Sequence, residues 1–387
     1  MLKNLLREKP VLMTVLVAGC LSLWTVPAYP VTNASGGARS LRLEMEGIGA
    51  IVARPPSIDS DGGAAQLLME KPGGKLLVIA SFEGLEFAAL LSADLDGDRT
   101  PEVIAVARHR SGDDLMPFIF GGPTELNRIF PPGDGEDNPI MGKEISIIQG
   151  KAGAELCVKI PIIIHDFGPP DLFQIETYRL RGKQLAKTGE MLTEAKHFNQ
   201  IMNRAAFAAQ KGRYLDALKD YESVLGMTGN SVKLSPEAKA EALLAAADCR
   251  AGLKDFSTAL ELYRRVTIEC PGSPQADKAG RESTFISGHI SNPAILSLYT
   301  DIARANRMER WNEALMLLEK TPDVLKSPLG DHLMFQRGEA LIGLGRVEEA
   351  IAVFKGLRSE FPRSTLAEAA SERLQELEGA PESPESQ

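Results

Sequence analysis

Residues 332–362 read HLMFQRGEALIGLGRVEEAIAVFKGLRSEFP, and this stretch indicates the architecture of the C-terminal half. Apolar residues recur in it at helical spacing in two blocks, which contain Met334 and Leu341 in the first and Phe354 in the second. Gly343 and Gly345 separate the blocks, so the pattern predicts two helices joined by a tight turn. One such hairpin cannot bury its own apolar face, and we therefore expect further copies packed beside it.

The small, large, turn, aromatic and proline positions of this hairpin resemble those of a tetratricopeptide repeat. They are Gly338, Leu341, Gly345, Ala350, Phe354 and Pro362. Small residues at Gly338 and Ala350 let the two helices approach closely, and Pro362 ends the second helix. The resemblance implies an all-α solenoid of stacked hairpins.

Three more hairpins precede this one, with Ala217, Ala259 and Ala314 in the place of Ala350. Successive alanines are 42, 55 and 36 residues apart, against about 34 for a regular array. The longest gap, residues 276–293, has room for an additional helical turn or a projecting loop. The helical repeats span residues 197–378 and resemble the arrays of bacterial envelope proteins such as the TolA-binding coiled-coil protein and the β-barrel-assembly lipoprotein.

The resemblance also implies a concave groove that is lined by the first helix of each hairpin and binds an extended peptide or a partner helix. Tyr299 and Phe335 are its candidate hot spots. Either these groove residues bind a partner protein, or they are ordinary helix residues and the groove is filled by the chain's own β domain or tail. The register assigns to the groove Asn199, Met202, Gln210, Glu241, Leu244, Asp248, Tyr299, Asn306, Arg307, His332, Phe335 and Glu339.

The N-terminal residues 1–28 carry the features of an export signal, a basic start followed by an uncharged apolar run. Its end has two interpretations, because residues 17–20 match a lipobox that would lipidate Cys20, whereas residues 26–28 offer a plain signal-peptidase site. A retained anchor helix is the third interpretation. Residues 29–40 are small and polar, which is typical of a linker.

The composition is that of an ordinary globular protein after the signal, with 44% hydrophobic and 25% charged residues. The formal net charge of −9 argues against a nucleic-acid partner, because no basic stripe with interleaved aromatic residues is present. The end of the chain, residues 379–387, is rich in Pro, Ser and Glu and is expected to be disordered.

In residues 41–189 the sequence pattern is different. Short apolar runs and a period-two alternation of apolar and polar residues predict β-strands. About eight strands are expected, with a hairpin that turns at Arg181 and Gly182. The sequence therefore predicts an α+β multidomain protein, with an N-terminal antiparallel β domain of the small sandwich or incomplete propeller type, followed by the helical solenoid.

One loop between two predicted strands reads ADLDGDRTPE and carries acidic residues at alternate positions. Hard oxygen ligands at this spacing suit Ca²⁺. An EF-hand would need a carboxylate where Ala105 stands, and helices rather than strands around the loop. The pattern instead resembles the FG-GAP or VCBS calcium loop, which implies a structural Ca²⁺ held by Asp94, Asp96, Asp98, Thr100 (through its carbonyl) and Glu102. The alternative is an Asx-type turn with solvated carboxylates.

No catalytic or zinc-binding pattern is found in the sequence, since the five histidines are scattered and no P-loop or Gly-x-Ser-x-Gly motif is present. We therefore expect no enzyme but an exported scaffold or adaptor of the bacterial cell envelope, in the periplasm, at the outer membrane or secreted. It would bind a protein through the groove, with a membrane tether if Cys20 is lipidated. The alternative is a binding module whose β domain recognises a saccharide or surface ligand, with the repeats as a spacer.

Overall fold

A computed structural model of the chain describes residues 40–45, 48–56, 64–71, 73–122, 125–132, 138–150, 153–227 and 234–379. The predicted export signal with Cys20, the linker up to residue 39 and the tail from residue 380 lie outside the described residues. No helix in the described ranges is long and apolar enough to cross a membrane. The chain divides into two compact units, residues 1–161 with 174–192, and residues 162–173 with 193–387.

Within its described residues, the first unit contains twelve strands in three antiparallel sheets of four. Each sheet is built from four consecutive strands, in the orders β1-β2-β3-β4, β5-β6-β7-β8 and β12-β11-β10-β9. The strands are β1 Leu41–Met45, β2 Gly49–Arg54, β3 Ala65–Glu70, β4 Leu76–Phe82, β5 Leu85–Ala93, β6 Glu102–His109, β7 Leu115–Gly121, β8 Asn127–Phe130, β9 Glu144–Gly150, β10 Gly153–Ile162, β11 Leu172–Arg181 and β12 Gln184–Leu192.

The middle sheet is buried on both faces. Alternate residues of β6 point to opposite sides, and accordingly Val103 and Ala105 pack in a core cluster with β1 to β4, whereas Ile104 and Val106 pack in a second cluster with β9 to β11. A strand that is covered on both faces reads as a continuous apolar run rather than an alternating one. This explains the sequence VIAVA at residues 103–107.

The antiparallel β domain is confirmed, but the expected number of strands is wrong. Strands β3 and β8 were not predicted, because β8 has only four residues and the segment AQLLME of β3 shows no alternation of polar and apolar residues. The predicted hairpin at Arg181 and Gly182 joins β11 to β12.

In the part of the chain that the structure describes, the second unit contains ten α-helices and one short 3₁₀ helix. Four antiparallel hairpins, α1/α2, α3/α4, α6/α7 and α8/α9, correspond to the four predicted repeats. The helices are α1 Phe198–Gln210, α2 Tyr214–Gly226, α3 Pro236–Gly252, α4 Phe256–Glu269, α5 Pro274–His289, α6 Pro293–Arg307, α7 Trp311–Glu319, α8 Gly330–Gly343, α9 Val347–Glu360 and α10 Leu366–Gly379, with the 3₁₀ helix at Pro322–Lys326.

The hairpins close as the repeat pattern requires. Ala217, Ala259, Ala314 and Ala350 are all fully buried, at 0% exposure, where the second helix of each hairpin meets the first. The long gap between the second and third repeats holds neither a single turn nor a loop but the whole of helix α5. Its start is set by Ser273, whose hydroxyl accepts a hydrogen bond from the Ala276 N–H, and by Pro274 in the first turn.

Candidate partner-binding groove and metal loop

Helix α1 holds a segment of the chain's own backbone through amide side chains. Asn203 Oδ1 accepts hydrogen bonds from the backbone N–H groups of Ile164 and His165, both at 2.8 Å, and its Nδ2 donates to the His165 carbonyl at 3.0 Å. Asn199 donates to the carbonyls of Gly168 and Pro170. Residues 162–173, which run from the last residue of β10 to the start of β11, belong to the helical unit, and we call them the strap.

The strap explains why polar residues of α1 are buried. Asn199, Gln200 and Asn203 are 3%, 9% and 5% exposed, and Gln200 Nε2 donates to the Asp171 carbonyl at 3.0 Å. A buried amide without partners is costly, but each of these amides bonds to backbone groups that would otherwise lack partners. The α1 end of the predicted groove is therefore occupied by the chain itself.

Four of the predicted groove residues are buried. Met202 and Leu244 are 0% and 4% exposed and lie in the hydrophobic core, and Asn306 donates a hydrogen bond of 2.8 Å to the Gln336 carbonyl. With Asn199, these side chains point inward, whereas the repeat register predicts that they face a partner. The register alone does not tell which first-helix positions are covered by a neighbouring helix or by the strap.

The other groove residues are at least partly accessible. Tyr299 and Phe335 are half-buried, with the Tyr299 ring 5.1 Å from that of Phe285 and the Phe335 ring 5.5 Å from that of Phe354. Three more contact neighbouring side chains. Glu241 accepts a hydrogen bond from Gln275, the His332 ring lies beside the Asp331 carboxylate, and Glu339 forms a salt bridge with Arg373. Gln210, Asp248 and Arg307 line a cavity.

This cavity, of about 750 Å³, lies between α1, α3, α6 and the strap. Its wall is mixed in character, with aromatic, aliphatic and charged groups of both signs. A second cavity of about 300 Å³ shares Tyr214, Asp248 and Arg307 with it, so the two adjoin. Residues that the repeat register does not assign to the groove also line the larger cavity, namely His165, Lys211, Tyr214, Arg304 and Glu309.

The carboxylate of Asp248 is fixed by two neighbours. It accepts a hydrogen bond of 2.6 Å from the Tyr263 hydroxyl and one of 3.0 Å from Lys278 Nζ. Burial, and next the charge of Asp248, raise the pKa of Tyr263 above its usual range, so this phenol stays protonated and acts as a donor. By contrast, the Arg307 side chain is exposed and forms no ion pair with any residue in the described part of the chain.

His165 is the one strap residue with a buried side-chain polar atom that lacks a hydrogen-bond partner. Its Nε2 is buried and has no hydrogen-bond partner, while Nδ1 lies 3.9 Å from the Glu241 carboxylate. Burial lowers the pKa of His165, and the charge of Glu241 opposes this shift. No binding role is predicted for this histidine from the sequence, because only the packing of the strap on α1 brings it to the cavity.

In the first unit, the acidic loop between β5 and β6 is a tight turn. Asp94 accepts hydrogen bonds from the N–H groups of Gly97 at 2.6 Å and Arg99 at 3.0 Å. Gly97 and Arg99 have φ values of +88° and +75°, and these left-handed conformations are ones that glycine adopts readily. They fold the loop so that its carboxylates converge.

The carboxylates that converge are those of Asp94, Asp96 and Glu102, whose ligand atoms lie within 4.8 Å of one another. The predicted ligand Asp98 is not in this group, and its Oδ1 accepts a hydrogen bond of 2.6 Å from the Thr100 N–H instead. Glu102 is 4% exposed, and burial raises its pKa to about 7, with Asp96 and Asp94 contributing in the same direction. A cation between the three groups would relieve this repulsion.

Comparison with known proteins identifies the repeats. The tetratricopeptide repeat family matches residues 204–274 and residues 333–364. Solved structures that the chain is similar to include MamA AMB-1, at 19% identity over 46% of this chain and 87% of that chain with a TM-score of 0.20, and MamA 41-end from Desulfovibrio magneticus RS-1, at 16% identity over 49% and 100% with a TM-score of 0.19. No curated protein matches the chain. Residues 204–274 and 333–364 are thus tetratricopeptide repeats.

Proposed function

We propose that this chain is an exported, non-enzymatic scaffold of the bacterial cell envelope whose helical unit binds a partner protein. The cavity between α1, α3 and α6 carries this proposal, because it lies between the first helices of three hairpins and its wall mixes apolar and charged groups. Tetratricopeptide repeats present such a surface to extended peptides or to helices.

The strap limits where the partner lies. The amide side chains of α1 already form hydrogen bonds with the strap and are not available to a partner. The partner would therefore lie over the cavity and continue along α6 and α8, toward Tyr299, His332 and Glu339. Arg307 stands at the centre of this surface, as it lines both cavities and is exposed. A carboxylate of the partner is the group that best matches Arg307.

The test compares Arg307→Glu with Arg264→Glu in the tagged full-length chain, cross-linked in its native cells. Arg264 is also exposed, but it lies on α4, a second helix of a hairpin, and lines neither cavity. We expect Arg307→Glu to reduce recovery of the partner by about tenfold and Arg264→Glu to leave it unchanged. Equal recovery with both variants would refute the groove and make the β unit the surface to study.

Charge reversal at Arg307 is a cleaner test than truncation of Phe335. The Phe335 ring lies 5.5 Å from the fully buried Phe354 ring, so Phe335→Ala would disturb the core as well as the surface. Circular dichroism of both arginine variants serves as the control for folding.

We further propose that export depends on residues 1–28, with Cys20 as a lipid attachment site if the lipobox is used. The apolar run and the small residues before Cys20 support this proposal. Cys20→Ser should release the protein from the membrane fraction if it is a lipoprotein. A cleaved soluble form would fractionate identically with and without the substitution, which would refute lipidation.

The loop of the first unit is proposed to hold Ca²⁺ in a structural role through Asp94, Asp96 and Glu102, with the Thr100 carbonyl as a further ligand. The all-oxygen donor set fits Ca²⁺, and both Asp94 oxygens retain a lone pair beyond their backbone hydrogen bonds. Ca²⁺ should raise the melting temperature of the wild type and of Asp98→Asn, but not of Asp96→Asn. An equal Ca²⁺ effect in all three proteins would show that this loop is not the site.

A further inference from the structure

Strand β4 is the outer strand of its sheet and is unusually apolar for an edge. It pairs with β3 on one side, and no other described strand pairs with it. Its sequence is LLVIASF. Edge strands present unpaired N–H and C=O groups, and native proteins usually protect them with charges, short length or a cover. Apart from Ser81, every residue of β4 is apolar or aromatic, and none is charged.

Two large apolar side chains of β4 are exposed to solvent. Leu76 is 42% and Val78 60% exposed, and their spacing of two residues places them on the same face. They lie opposite Glu70 and Leu68 of β3. Among the described residues, this is the only strand with two exposed large hydrophobic side chains.

The charges stand at the two ends of this strand. Lys75 precedes it and Glu83 follows it, both exposed, and neither forms an ion pair within the described residues. A lysine beside an edge strand normally deters pairing. Lys75 would not deter a second copy of β4 that runs antiparallel to the first. In that arrangement Glu83 of one copy lies beside Lys75 of the other.

We propose that β4 is a self-association edge that pairs antiparallel with β4 of a second copy of this chain. Two-fold symmetry reverses the partner strand, so Lys75 approaches Glu83 of the partner subunit at one end, and the reciprocal pair forms at the other. In that pairing the free N–H and C=O groups of β4 would bond to the second copy, and Leu76 and Val78 would lie on the outward face beside the new strand pair. A parallel arrangement would place like charges together.

The length of the strand sets the strength of this contact. Seven residues at about 3.3 Å each make an edge roughly 23 Å long, and a single strand pair of this length is a small contact area compared with a standard protein interface. The β-bulge at Ile79, which has no partner on β3, further divides the strand into two short halves. We therefore expect a weak dimer that forms in the upper micromolar range rather than an obligate one.

Analytical ultracentrifugation of the full chain over a wide concentration range tests the proposal. Lys75→Glu and Glu83→Lys should each weaken dimerisation by about tenfold, since each replaces two attractive contacts with two repulsive ones. The double variant Lys75→Glu/Glu83→Lys should restore the wild-type dissociation constant. Val78→Lys should abolish the dimer, whereas Ile268→Lys, at a side chain 76% exposed on α4, should not.

The charge exchange distinguishes loss of this strand pairing from loss of folding. A variant that merely misfolds would not regain association when the second charge is reversed. A wild type that stays monomeric up to about millimolar concentration would overturn the proposal. So would a dimer that persists in both single charge variants and in Val78→Lys, because the contact would then lie elsewhere.

Discussion

Gly338→Ala should destabilise the helical unit, although the same change usually stabilises a helix. A Cβ added at Gly338 would lie 2.4, 2.6 and 2.8 Å from three atoms of the Phe354 ring. That ring is 0% exposed and packs edge-on against Phe335, so it has no free space into which to move. Overpacking of this kind costs about 1–3 kcal/mol, and three close contacts place this site at the upper end.

The gain in helix propensity opposes this cost. Replacement of glycine by alanine in a helix interior stabilises by about 1 kcal/mol, so the net loss at Gly338 is about 1–2 kcal/mol. Gly280 in α5 is the matched control, because a Cβ there meets no atom within 4 Å. Gly280→Ala should therefore stabilise the unit by up to about 1 kcal/mol.

Urea unfolding followed by far-UV circular dichroism measures both variants, since the helices dominate that signal. The two midpoints should move in opposite directions. A double variant, Gly338→Ala/Phe354→Leu, should recover part of the loss, because the smaller side chain leaves room for the added methyl group. If Gly338→Ala unfolds at the same or higher urea concentration than the wild type, the close helix crossing at this position is refuted.

Three further outcomes are expected. Asn203→Ala should cost about 1–3 kcal/mol, because it removes the acceptor for the N–H groups of Ile164 and His165; an unfolding curve in urea that coincides with that of the wild type would contradict this. In chelator, the raised pKa of Glu102 means that the native state keeps a proton that the unfolded chain releases, so stability should fall by at most about 3 kcal/mol as pH rises from about 5 to 7. Glu102→Gln should remove that slope, as measured by unfolding at several pH values. Tyr263→Phe should lower stability by about 1–2 kcal/mol through loss of the bond to Asp248, and no change in the urea midpoint would contradict it.

The repeats are predictable from the sequence because their contacts are local. Ala350 and Gly338 are twelve residues apart and meet within one hairpin, so periodicity and residue size predict their burial. The acidic loop is predictable for the same reason, since its turn is set by residues 94–102. The Asp98 carboxylate lies outside the group formed by Asp94, Asp96 and Glu102, because it accepts a hydrogen bond from the Thr100 N–H, which alternation along the loop does not predict.

Which of these surfaces remain available depends on contacts between distant segments. The strap meets α1 through pairs such as Ile164 and Asn203, 39 residues apart, and no periodic pattern records a contact between a loop and a helix at that distance. Helix α5, whose residues show neither a repeat match nor a strong apolar stripe, likewise gains its place by packing on α4. The hairpins and the β class follow from the short-range spacing of apolar residues and are therefore encoded locally, whereas the burial of Asn199 and the cavity beside Arg307 arise only when segments far apart in the chain pack together.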